Sequence, residues 1–194
     1  SPNFGFSHSA GDSIAAITCD PNTHAPDRFV TFPWVNIGRR HDRTPSAGWG
    51  WAGNIALHPF STYDPGGYNN EQILCTTLFR IYRSIRGDSP RLAERQFAAR
   101  YTVYLILRAI GMLTPATNPS NAAGFATAMM NADLGDWTTE GQAGGAYGKV
   151  IRWAFEKQGL YQPAGTATPN NNIGAPPAVD VYIQTPVVAG IGTK

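Results

Sequence analysis

The sequence predicts a mainly α fold: a helical bundle-like single domain over residues 1–161, with a long ordered loop inside it and an extended tail over residues 162–194. Apolar residues recur at helical spacing in four segments of the chain, which is the main signal for helices. The length of 194 residues is enough for one hydrophobic core. The 21 glycines and 15 prolines, with only 14% charged residues, indicate long loops between the helices.

The helical segments follow one another through the middle of the chain. Ser89 is expected to act as an N-cap and Pro90 to occupy the first helical position of the segment that they precede, because proline fits the first turn of a helix. The predicted helices span residues 70–86, 91–112, 120–132 and 145–157, and a shorter one spans residues 9–17.

Two long segments have no helical pattern. About fifty residues rich in Pro, Gly, Trp, His and Arg separate the first two helices, and a loop of that length is more often functional than idle. The tail is rich in Pro, Asn, Gly and Ala until residues 178–185, where Val179, Val181 and Ile183 alternate with other residues as in a strand. We therefore expect that the chain self-assembles through its tail, with this strand added to a sheet.

Composition argues against several classes of partner and location. The net charge of +2 comes from 15 basic and 13 acidic residues without a long like-charge run, so no nucleic-acid partner is predicted. No stretch reaches the ~18 apolar residues of a membrane span, and the first residues lack a signal-peptide pattern, as in a mature secreted product. Cys19 and Cys75 would form one disulfide in an oxidising compartment, or remain two thiols.

His8 and Asp12 are the first candidate site residues. They are four residues apart, so on a helix both would project from the same face. That spacing suits a metal ligand with a carboxylate that orients it, whereas the simpler alternative is a pair of residues that hydrogen-bond locally near a helix start.

The order of motifs resembles the C-terminal helical part of fungalysin-type and thermolysin-type metallopeptidases, over roughly residues 6–161. In that family a helix of the form E-x-x-x-D supplies the third zinc ligand and an orienting Asp, and His8 and Asp12 stand at those two positions. The resemblance therefore implies His8 as a zinc ligand and Asp12 as its partner. Further similar segments are Leu57–Asp64, Glu71–Phe79, Leu113–Pro119 and Trp153–Leu160.

One departure from that family limits the expected activity. Peptide hydrolysis by these enzymes needs two His one helical turn apart and a Glu that takes a proton from zinc-bound water. The sequence contains no HExxH motif. We therefore expect a metallopeptidase-like domain that is catalytically incomplete, or a fragment that needs a missing HExxH segment.

A second candidate site is the run Arg39–Arg43, which lies between Trp34 and Trp51 and contains His41. Three Arg, one His and one Asp beside indole rings would form a pocket for a carboxylate or another anion, because guanidinium groups grip carboxylates and stack on aromatic rings. The alternative is an Arg–Asp network that pins the loop to the body. His24, His41 and His58 would be further metal ligands, although a lone His is more often structural.

Three functions therefore compete. The first is the metallopeptidase-like domain with zinc at His8, supported by Asp12, Arg39, His41 and His58. The second is a non-catalytic secreted binding or structural module that grips a peptide, protein or glycan through the Trp34–Trp51 loop, or assembles through its tail. The third is another hydrolase that uses His8, Asp12 and Arg39–Arg43 as acid, base and anion-binding groups.

Overall fold

The structure is a computed structural model that describes residues 6–30, 43, 50–51, 56–57, 69–117, 122–158 and 160–161. A short antiparallel ladder joins β1 (Gly50–Trp51) to β2 (Ala56–Leu57). The prediction of a mainly α fold is confirmed, because helices account for most of the described residues. They are α1 (Phe6–Thr23), α2 (Asn69–Tyr82), α3 (Leu92–Gly111), α4 (Ala122–Asp133) and α5 (Gly148–Lys157).

The second helix is the centre of the fold. Every residue from Ile73 to Tyr82 is buried, including two threonines and Arg80. α1 packs against α2 and α3, α4 packs against α3 and α5, and α5 also contacts α2. This arrangement encloses one core, whose largest fully buried apolar members include Ile17, Leu78, Tyr101, Phe125 and Phe155.

Several predicted helix boundaries differ from the structure by a few residues; for example, α2 ends at Tyr82 and α5 begins at Gly148. α1 continues beyond residue 17 to Thr23, and its last turn is held because Asp20 and Pro21 are buried. Ser89 is not the N-cap of α3, which begins at Leu92. The Ser89 hydroxyl instead accepts the Arg91 N–H at 3.1 Å and donates to Glu94 at 2.6 Å, so it closes a turn before the helix.

The N-terminus of α5 is capped by the last residue of α4. The fully buried carboxylate of Asp133 accepts the Tyr147 N–H at 3.0 Å and the Tyr101 hydroxyl at 2.8 Å. Burial raises the pKa of Asp133, and these hydrogen bonds offset part of the increase. The contact joins α3, α4 and α5 at one point in the core.

Some predicted features lie outside the described residues. These are the tail over residues 162–194 with its strand, and the Trp34–Trp51 loop apart from residues 43, 50 and 51. The strand and the self-assembly through it therefore stay predictions. Among the described helices, none has the length and apolar character needed to cross a membrane.

Candidate ligand-binding groove

Positions 8 and 12 are on the same helix, as the sequence predicts. α1 begins at Phe6, so His8 and Asp12 are one turn apart on one side of it. Asp12 is partly exposed, and its charge and that of Arg43 both act on the Cys75 thiol. The side chain of His8 lies outside the described residues, as do Arg39, His41 and His58.

The cysteines do not form the disulfide that was one of the two alternatives. Cys19 is exposed on α1, whereas Cys75 is buried on α2 and donates to the Ser9 carbonyl at 3.6 Å. Burial raises the pKa of the Cys75 thiol to about 12. A thiol that stays protonated is a poor nucleophile at neutral pH.

We predict that alkylation of the native protein with iodoacetamide modifies Cys19 and leaves Cys75 unmodified, because only Cys19 reaches solvent. Peptide mass spectrometry after a short reaction measures this. In urea both thiols should react at the same rate, which serves as the control. Equal labelling of both residues in the native protein would contradict the burial of Cys75.

A dense cluster of charged side chains fixes the turn that follows α1. The buried Arg28 guanidinium donates to both carboxylate oxygens of Asp20, at 2.8 and 2.5 Å, and to Asp88 at 2.5 Å. The Tyr82 hydroxyl donates to Asp20 at 2.8 Å, and Arg83 donates to Asp88 at 2.8 Å. Burial alone would lower the pKa of Arg28, but the two carboxylates outweigh it and raise that pKa.

Arg43 is the described member of the predicted Arg39–Arg43 site. Its guanidinium donates to the carbonyl oxygens of Arg28 and Val30, at 2.8 and 3.3 Å, and lies over the Phe79 ring at 5.4 Å. These contacts attach Arg43 to the turn after α1. Residues 39–42 lie outside the described residues, so the anion pocket and the Arg–Asp network both stay predictions. Among the described residues, no group of three or more His, Cys, Asp or Glu side chains is placed to hold a metal ion.

A groove of about 880 Å³ follows the seam between α1 and α3. Its volume falls in the range of pockets that bind small ligands. Thr18, Pro21 and Asn22 of α1 form one wall, and Trp137 forms part of the other. The floor is one face of α3, with residues at spacings of three and four: Gln96, Ala99, Arg100, Val103, Tyr104, Leu107 and Arg108.

The aromatic part of the groove is held rigidly. Trp137 stacks on Tyr104 with ring centres 4.6 Å apart and planes at 11°. The Trp137 backbone pairs with Gln142 in a tight turn, where Gly141 has a φ of +67°. Arg100 donates to both carboxylate oxygens of Glu140 in the same turn, at 2.9 and 3.0 Å, and so attaches it to α3.

The far end of the groove carries Arg108. Its guanidinium donates to the Tyr104 hydroxyl at 2.6 Å and lies against the backbone at Gly135. A Cβ at position 135 would collide with the Arg108 Nη2 atom, so the absence of a side chain there leaves room for the guanidinium. Leu107, one residue before Arg108, is 54% exposed at the open side of the groove.

This groove was not predicted from the sequence. Tyr104, Arg108 and Trp137 were not among the predicted site residues. A signal was present, because α3 has apolar residues on more of its circumference than one contact face needs, as Leu107 and Val103 illustrate. Apolar residues beyond those of one contact face indicate that the helix has a second apolar face, which either packs against a partner or is exposed.

In comparisons with known proteins, no family model, no curated protein and no solved structure matches the chain. The resemblance to metallopeptidases therefore rests on the motifs of the sequence alone.

Proposed function

We propose that this domain is a binding module that holds a peptide segment of a partner protein in the α1–α3 groove. The observation that carries the proposal is the exposed apolar floor of that groove, where Leu107 is 54% exposed beside the stacked rings of Tyr104 and Trp137. Apolar surface of this kind marks interaction sites on folded proteins. Its aromatic rings are already ordered, so a ligand would gain contact area at low entropic cost.

The test is binding of the purified full chain to an array of synthetic peptides rich in Leu and Phe. We predict that Leu107→Glu weakens binding to the positive peptides by at least about tenfold, because a charge would be placed against the apolar part of the ligand. Fluorescence anisotropy with the best peptide measures the change. Since Leu107 is exposed, the variant should fold normally.

Leu92→Glu is the matched control. Leu92 is also on α3 and is 46% exposed, but it does not line the groove. The same substitution there adds the same charge to the same helix and should leave peptide binding unchanged. An equal loss in both variants, or no positive peptide for the wild type, would refute the proposed groove function.

A metallopeptidase-like half-site on α1 is the second function that we propose. The favouring observation is that α1 is one helix from Phe6 to Thr23, which gives positions 8 and 12 the spacing of a ligand and its orienting carboxylate. Zinc would need further ligands from other segments of the chain. Equilibrium dialysis against zinc tests it: unchanged zinc affinity in His8→Ala would rule it out.

A further inference from the structure

We infer that the groove accepts an amphipathic helix of the partner protein, with an acidic residue where that helix passes Arg108. The inference rests on the proposed function and adds the conformation and the charge of the ligand. The helical conformation of the ligand is inferred from the shape of the groove. Its acidic residue is inferred from the ion pairing of Arg100 and Arg108.

The shape of the groove suits a helix. Its floor extends along one face of α3 from Gln96 to Arg108, and the twelve helical steps between these residues cover ~18 Å. A ligand helix of about three turns would match that length and place apolar residues at i, i+3, i+4 and i+7 against it. α1 and Trp137 border the floor on its two sides, so the ligand would complete a packed group of helices.

The charge of the groove is unbalanced at one end. Among the described residues, Arg100 and Arg108 are the charged ones that line it. Arg100 is already paired with Glu140, which binds it through two hydrogen bonds. Within the part of the chain that the structure describes, no carboxylate lies within 4.0 Å of Arg108, and the nearby Asp136 accepts the Gly144 N–H instead. An acidic residue of the ligand would complement this guanidinium.

The position of Arg108 is set before any ligand binds. The Tyr104 hydroxyl accepts a hydrogen bond from the guanidinium, whose carbon lies 5.7 Å from the centre of the Tyr104 ring. On its other side the guanidinium approaches the Gly135 backbone closely. A cation held between a phenol ring and the backbone loses less freedom when a carboxylate binds it.

Three labelled peptides of about fourteen residues test the inference by fluorescence anisotropy with the full chain. The first has leucines at i, i+3, i+4 and i+7 and a glutamate at each end of that stripe, so neither orientation is assumed. The second has glutamine in place of both glutamates. The third keeps the glutamates but contains central prolines that prevent a helix.

We expect the acidic helix to bind about fivefold more tightly than its glutamine version, as for an ion pair near the surface. Arg108→Gln should abolish that preference, so that the acidic helix and its glutamine version bind this variant with equal affinity. Gly135→Ala, which retains the charge but displaces the guanidinium, should reduce the preference as well. High salt should weaken the preference in the wild type only.

The outcomes separate the inference from the function on which it rests. Equal affinity for the acidic and glutamine helices would overturn the role of Arg108. Equal affinity for the acidic helix and its proline version would overturn the helical ligand. Either result leaves the groove function intact if Leu107→Glu still weakens peptide binding. Failure of all three peptides would overturn the inference, and the peptide array then decides the function separately.

Discussion

Arg28→Leu is expected to lower the free energy of unfolding by about 3–5 kcal/mol, which is the usual effect of removing one member of a buried ion pair. The substitution would leave Asp20, whose side chain is only 3% exposed, without its two strongest hydrogen bonds. Asp88 would lose a donor at 2.5 Å as well. Urea unfolding followed by circular dichroism at neutral pH measures the change.

Arg152→Leu is the control for that prediction. Arg152 also pairs with a carboxylate, Glu156 at 2.8 Å, but the pair is on the surface of α5 and its arginine is 48% exposed. Solvent screens such a pair, so the unfolding midpoint should hardly move. Similar small effects in the two variants would mean that the Arg28 cluster is solvated and does not hold the turn after α1.

The sequence predicts the helices well and this charge cluster not at all, for one physical reason. Helical periodicity is a local property, and α2 shows it because Ile73, Leu74 and Leu78 fall on one face within two turns. The partners of Arg28 are eight and sixty residues away in the chain. No spacing rule relates residues at such separations, so only the fold brings them together.

The groove depends on the same kind of long-range information. Tyr101 and Tyr104 look equivalent in the sequence, yet Tyr101 is fully buried against Asp133, whereas Tyr104 lines the groove. The difference arises because α4 and the Tyr147 ring cover Tyr101, whereas Tyr104 stacks on Trp137 in the wall of the groove. The sequence shows that α3 has more apolar residues than one contact face needs. It does not show which of these residues remain exposed in the folded protein.

The candidate site on α1 shows what a local motif does predict. The spacing of His8 and Asp12 requires only a helix, and α1 provides it. A catalytic zinc site needs three protein ligands from different parts of a fold. Arg39, His41 and His58 lie outside the described residues, so their roles stay predictions.

Asp133→Ala is expected to lower the free energy of unfolding by about 3 kcal/mol, because it leaves two buried donors without an acceptor. They are the Tyr101 hydroxyl and the Tyr147 N–H at the start of α5. Urea unfolding at pH 7 measures the loss. Asp136→Ala is the matched control: Asp136 is exposed and accepts one hydrogen bond, from Gly144, so its removal should have little effect.

The pH dependence provides an independent test of the same residue. Because burial raises the pKa of Asp133, the folded protein binds more protons than the unfolded chain just above the ordinary aspartate value of 3.8. The contribution of Asp133 to stability is therefore fully present below that value, and it declines as the pH rises through the raised pKa. Asp133→Asn cannot titrate, so the stability of the wild type relative to this variant should fall as the pH rises above the ordinary aspartate value of 3.8. A difference that stays constant over that range, or grows with pH, would mean that the Asp133 carboxylate is solvated and that α5 is held by its apolar face alone.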